Sequence, residues 1–92
     1  MSYVIKFLKQ AQKDIAYFEK SGNRKSYDKI RQITCELMEH PYTGTGKPEL
    51  LKYDKSGYWS RRINKADRLI YYVEENIITV CVVSARGHYY EK

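Results

Sequence analysis

Cysteine is scarce in this 92-residue chain. Cys35 and Cys81 are the only two, far apart and in no metal-ligand spacing. Histidine is equally sparse, and His40 and His88 stand alone, so no zinc site is readable. The pair of thiols suits a reducing cytosol, each as a small buried hydrophobe. Long apolar runs are missing too, since nothing approaches the ~18–20 residues of a membrane span. The first residues, Met1-Ser2-Tyr3-Val4-Ile5-Lys6, lack the apolar block and small-residue cleavage site of a signal peptide. A cytoplasmic location without membrane contact is therefore expected. Gly44 and Gly46 precede Lys47, but the strand and spacing of a phosphate-binding P-loop are absent. A chain of this length leaves no room for a second core, so residues 1–92 are expected to form one domain. A core that small argues against a deep cofactor cavity. Any site should be a shallow surface groove, and no cofactor is expected.

Positive charge is plentiful. The net charge is +6, and it is uneven: residues 47–72 hold seven Lys and Arg against three Asp and Glu, whereas residues 73–92 hold two against three. The basic third contains Lys47, Lys52, Lys55, Arg61, Arg62, Lys65 and Arg68. Such a field attracts polyanions and speeds their encounter with the surface. Tyr supplies 10 of the 13 aromatic residues, and its apolar ring with a polar tip suits half-wet grooves and interfaces.

Residues 3–7 read as a short strand. From Leu8 the period lengthens, and Leu8, Ala11, Ile15 and Phe18 share one helical stripe while Lys9, Lys13, Asp14 and Lys20 point away. Ser21-Gly22-Asn23 ends that helix and caps the next. The second helix shows Tyr27, Ile30, Ile33, Thr34, Leu37 and Met38 at i, i+3, i+4 and i+7 spacing and stops at Pro41. Two helices joined this tightly form a hairpin. Residues 40–49 are a long loop rich in Gly, Pro and Thr, and long loops are often functional. The remainder reads as strands at 50–53, 58–63, 68–74 and 77–84. The last, Ile77-Ile78-Thr79-Val80-Cys81-Val82-Val83, is apolar on both faces and is expected to be the central, most buried strand. The expected class is α+β: a β-α-α-β-β-β-β order with a mainly antiparallel sheet and the helix hairpin packed on one face.

Strand parity locates the open side of this sheet. Tyr58, Ser60 and Arg62 form one set, and Trp59, Arg61 and Ile63 the other. If Trp59 and Ile63 meet the helices, Arg62 faces outward. Arg68 opens its strand, where parity places it poorly, and it joins Arg62 as a candidate beside the Lys47–Lys52 segment. Glu49 ends the basic loop, and His88 lies in the tail Ala85-Arg86-Gly87-His88-Tyr89-Tyr90. Singly, each is ordinarily a solvated surface residue. Together, a carboxylate, a His and several cationic groups are the parts needed to cleave RNA with side chains alone. A base takes the ribose 2′-hydroxyl proton, the oxygen attacks the adjacent phosphate, an acid protonates the departing 5′-oxygen, and cations hold the charge that develops. The 2′-hydroxyl restricts this reaction to RNA.

The segments Gly44-Thr45-Gly46-Lys47-Pro48-Glu49-Leu50-Leu51-Lys52, Ser56-Gly57-Tyr58-Trp59-Ser60-Arg61-Arg62-Ile63, Arg68-Leu69-Ile70-Tyr71 and Ser84-Ala85-Arg86-Gly87-His88-Tyr89 resemble the YoeB/Txe toxins of the RelE superfamily. At motif level the resemblance covers residues 41–90. It implies a RelE-like microbial RNase fold and the toxin of a type II toxin–antitoxin pair, a ribosome-dependent endoribonuclease that cuts mRNA in the decoding site and stops translation. By motif position it implies Glu49 as general base, His88 as general acid and Arg68 as the stabiliser of the phosphate transition state. Lys52 and Arg62 would contact phosphate or neighbouring RNA, with Lys47 and Arg61 adding to the basic surface. Tyr89 would position or stack on the substrate. The chain continues past the His88-Tyr89 pair with Tyr90-Glu91-Lys92, which leaves Tyr90 open as the occupant of that role.

The same resemblance implies a cognate antitoxin of the YefM/Phd-like kind. Its flexible, partly acidic tail would fold over the basic groove, and operator DNA would be reached only through it. Toxin dimers are also implied. Two other readings fit the composition. A non-catalytic RNA- or DNA-binding module would use the same cations for phosphates and Tyr for stacking. A co-repressor would do no more than bind its antitoxin.

Overall fold

Val4, Ile5, Lys6 and Phe7 alternate between exposed and half-buried, as a strand lying on an apolar surface must. This strand, β1 (Val4–Phe7), leads directly into α1 (Lys9–Ser21), which buries Ala11 and Phe18. Gly22 closes α1 at φ 82°, a left-handed conformation that glycine adopts without steric cost. Asn23 then caps α2 (Arg24–Leu37) by accepting a hydrogen bond from the Ser26 amide at 3.2 Å. The computed structural model describes residues 2–51 and 57–86. Among them no helix is long and apolar enough to cross a membrane.

The later strands are β2 (Glu49–Leu50), β3 (Trp59–Arg62), β4 (Arg68–Glu74) and β5 (Thr79–Ser84). They join β1 in one sheet of order β1-β5-β4-β3-β2. Every neighbouring pair is antiparallel except β1 and β5, which run parallel with Val4 opposite Thr79 and Phe7 opposite Val82. Phe18 of α1 and Ile30, Ile33 and Leu37 of α2 pack on the face formed by Leu69, Tyr71, Val80 and Val82. Burying a side chain of this size contributes about 1.5–3 kcal/mol, so this layer dominates stability.

The architecture is the expected α+β one, with three corrections. First, β4 occupies the middle of the sheet, and β5 lies between it and β1, although β5 is buried along nearly its whole length. It also starts later than its composition suggests. Glu75–Ile77 forms a 3-10 turn, and Ile78 takes a positive φ of 48°, so the apolar Ile77 is left 62% exposed. Second, Cys35 is exposed, while Cys81 is buried. Third, Asp14 does not point away. It is 2% exposed, and its carboxylate accepts hydrogen bonds from the Gln10 side chain at 2.9 Å and the Ala85 amide at 2.8 Å. A charged residue on the inner stripe of α1 thus clasps the backbone just beyond β5. Asp14→Ala is expected to lower stability by about 1–3 kcal/mol, because the buried Ala85 amide loses its acceptor. Chemical denaturation of the purified variant measures this, and an unchanged midpoint would show that the clasp contributes nothing. Of the strand expected at 50–53, Leu50 lies in β2, which begins at Glu49; Leu51 is not in a strand, and residues 52 and 53 lie outside the described residues.

Candidate active site

The face of the sheet turned away from the helices collects the charged residues. Glu49 pairs with Ser60 across β2 and β3, and Arg62 pairs with Arg68 across β3 and β4. Directly paired residues share a face, and so do residues two apart on one strand. Glu49, Ser60, Arg62 and Arg68 therefore stand together. Leu69 and Tyr71 alternate with this set and enter the core, which assigns the set to the open side.

Two guanidinium groups directly opposite each other repel, a destabilisation of roughly 0.2–1 kcal/mol for a cross-strand pair. An anion between or beside them relieves it. Among the described residues that anion is Glu49, whose Oε1 lies 3.5 Å from Arg68 Nη1. The contact is long, and the side chains are 32% and 64% exposed, so it holds weakly and is available for exchange. Both arms of the pair can reach an incoming phosphate, for which a planar guanidinium is well matched.

The loop before β2 is docked by its backbone. The Arg62 amide donates to the Gly46 carbonyl at 2.7 Å. Gly46 sits at φ 85°, and a Cβ there would come within 2.8 Å of the Arg62 carbonyl oxygen, so only glycine fits. Lys47 follows Gly46, exposed and at a positive φ of 52°.

Arg61 has a different task from the one composition suggested. It is wholly buried, on the helix side of β3, and cannot serve as an RNA contact. Its Nη1 donates to Glu36 Oε1 at 2.7 Å and to the Thr45 carbonyl at 3.4 Å. Nη2 reaches the carbonyls of His40 at 2.8 Å and Thr43 at 2.7 Å, and Nε reaches the Tyr71 hydroxyl at 3.3 Å. All five donors of the guanidinium are engaged. Tyr71 in turn donates to the Pro41 carbonyl at 2.7 Å, and Glu36 accepts from the Thr45 amide at 2.8 Å and hydroxyl at 2.6 Å. Arg61 is the peg on which the loop before Glu49 hangs.

The structure thus brings together Glu49, Arg62 and Arg68, with Lys47 alongside, and removes Arg61 from the surface. Lys52, His88, Tyr89 and Tyr90 lie outside the described residues. Two further features of the face were not singled out as site residues. Tyr58 and Tyr72 pair in the next row, with ring centroids 5.3 Å apart, and Ser60 lies between that row and the two arginines. Period-two parity had already grouped Tyr58 and Ser60 with Arg62. Among the described residues no cluster of His, Cys, Asp or Glu could hold a metal ion.

This fold and face have relatives. Residues 7–89 match the family described as YoeB-like toxin of bacterial type II toxin-antitoxin system. Toxin YoeB of Streptomyces coelicolor is 38% identical over 85 residues, which is 92% of this chain and 98% of that protein. The YoeB dimer from Staphylococcus aureus is similar in structure with a TM-score of 0.82 at 34% identity, over 97% of this chain and 100% of that one. A heterotetrameric YoeB-YefM toxin-antitoxin complex from the same organism contains a chain with a TM-score of 0.79 at 36% identity, with the same coverage. A match of this extent, over a sheet that presents Glu49, Arg62 and Arg68 on one face, leads to one conclusion: the chain belongs to the YoeB-like toxins of bacterial type II toxin–antitoxin systems.

Proposed function

We propose that the chain is a ribosome-dependent endoribonuclease that cleaves mRNA in the decoding site and so arrests translation. The observation that carries this reading is the Glu49 carboxylate held 3.5 Å from the Arg68 guanidinium, on the same open sheet face as Arg62. A carboxylate beside two cations can take a proton next to a bound phosphate. Glu49 removes the proton of the ribose 2′-hydroxyl. The freed oxygen attacks the adjacent phosphorus, and the bond to the 5′-oxygen breaks. Arg68, with Arg62, holds the non-bridging oxygens as their charge grows. His88 gives its proton to the leaving 5′-oxygen, which yields a 2′,3′-cyclic phosphate and a 5′-hydroxyl. Unperturbed, His is mostly neutral at pH 7, and a nearby phosphate favours its charged form, so bound RNA prepares the acid. Lys47 and Lys52 contact neighbouring phosphates, and Tyr89 or Tyr90 stacks on the substrate. The site is open and shallow, which suits an enzyme whose substrate is positioned by the ribosome.

The partner is an antitoxin of the YefM kind, by analogy with the S. aureus complex, and the S. aureus dimer supports self-association as well. A flexible tail folding over the toxin gains affinity from charge and aromatic burial, while its ordering opposes binding. Primer extension along a translated mRNA tests the reading. New 5′ ends should arise when the protein meets programmed ribosomes and be absent when ribosomes are left out. If no new ends arise in either case, the reading fails.

A further inference from the structure

Ser60 stands out on the open face. It is wholly buried, and its Oγ is the one buried side-chain polar atom without a hydrogen-bond partner among the described residues. A buried hydroxyl left unpaired is destabilising, and Val, Thr or Ile suits a strand interior better. Native structures rarely keep such a group without a use for it. Among the described residues, its neighbours on this face by sheet register are Glu49 and Ile70 across the adjoining strands, and Tyr58 and Arg62 along β3. Ile70 offers no acceptor, Arg62 only donates, the Tyr58 hydroxyl is a neutral acceptor at the tip of a long ring, and Glu49 is the anion. Glu49 is directly opposite, where paired Cβ atoms lie about 4.5–5.5 Å apart.

In the free protein the Glu49 carboxylate contacts Arg68. That contact has to open when Arg68 takes up a phosphate. The carboxylate is then left without its cation at the moment it must aim at a hydroxyl. We propose that Ser60 is a positioning residue for the cleavage reaction: once Arg68 exchanges the carboxylate for phosphate, the Ser60 hydroxyl donates a hydrogen bond to Glu49 and holds its free oxygen on the ribose 2′-hydroxyl. This rests on the reading of Glu49 as general base. The unpaired hydroxyl is the waiting half of that bond, and burial keeps bulk water from competing for it.

The test compares wild type, Ser60→Ala, Ser60→Thr, Glu49→Gln and the Ser60→Ala/Glu49→Gln double variant on mRNA-programmed ribosomes. Ser60→Ala should be as stable as wild type or slightly more so, because it removes an unpaired buried hydroxyl. Its kcat should fall roughly 10–100-fold with little change in KM, as loss of a hydrogen bond to a charged group does. Ser60→Thr, which keeps the hydroxyl, should recover most of the rate. In the Glu49→Gln background the Ala substitution should have no further effect. If Ser60→Ala cleaves at the wild-type rate, or if its loss adds fully to that of Glu49→Gln, the proposal is overturned while the assignment of Glu49 stands. If Glu49→Gln itself cleaves normally, both fall together.

Discussion

Glu49→Gln is expected to lower mRNA cleavage on programmed ribosomes by roughly 10²–10⁴-fold, the usual effect of losing a general base. Three features make this a clean measurement. The side chain is 64% exposed, so the substitution leaves no cavity and no buried orphan. Its one described ionic contact, at 3.5 Å to Arg68, is of the surface kind that contributes about 0–1 kcal/mol, so the fold should persist. Gln has nearly the same shape, so a steric change cannot explain a lost rate. Binding separates the readings further. A module that only binds nucleic acid would tolerate Glu49→Gln, or bind more tightly once a negative charge leaves the face. A catalyst would keep its affinity and lose its rate. His88→Gln should produce a loss of similar size by removing the acid. If Glu49→Gln arrests translation as fast as wild type, the carboxylate has no part in the chemistry.

The second large effect is on stability. Arg61→Met should destabilise the fold by about 3–5 kcal/mol, the range found when one partner of a buried ion pair is removed. That is a large share of the roughly 5–14 kcal/mol expected for a domain of this length. The loss is large because it is distributed. Glu36 keeps its charge without its cation, and the carbonyls of His40, Thr43 and Thr45 lose their donors together. Arg61→Lys should not rescue it, since an ammonium cannot reproduce the five-donor fork. Replacing Glu36 along with Arg61 should recover part of the loss. The denaturant midpoint reads each of these, and an unshifted midpoint for Arg61→Met would contradict the loop's dependence on this side chain.

The Glu36 carboxyl ties that network to pH. Burial pushes it up, but hydrogen bonds from Thr45 and from the Arg61 guanidinium outweigh burial and hold it below its ordinary value of 4.5. A carboxyl depressed in the folded state stabilises the fold fully above its unfolded value and ceases to do so as pH falls through the folded one. Acidification below about pH 4.5 should therefore weaken the wild type more steeply than Glu36→Gln, as midpoints measured across that range would reveal.

Elements governed by local pattern were legible in the sequence. β4 has the expected bounds, Arg68–Glu74, because turn residues flank a short apolar run, Leu69-Ile70-Tyr71, that is buried throughout. Both helices follow their apolar stripes, except that Met38 falls past the end of α2 and is exposed, and parity alone put Arg62 on the open face. Asp14 and Arg61 were misjudged for a shared reason. Whether a charged side chain can be buried depends on partners far along the chain, here Ala85 and Glu36, and no local window contains them. The delayed start of β5 is similar: Ile77 and Ile78 have strand-like side chains, but the turn from Glu75 forces Ile78 into a left-handed conformation. Ser60 was visible as a residue on the right face, yet its missing partner is a property of the assembled sheet.

The parallel pairing of β1 with β5 has a consequence for the order of assembly during synthesis. Val4 and its partner Thr79 are 75 positions apart in the chain (79 − 4). The helix hairpin needs only neighbouring segments and can form while the chain is still growing. The sheet cannot, because β1 waits for β5, and β4 lacks one of its two flanking strands until the same moment. Contacts of such long sequence separation form late. The strands that carry Glu49, Arg62 and Arg68 thus pair with near neighbours in sequence, whereas the far edge of the same sheet closes only through its longest-range pairing.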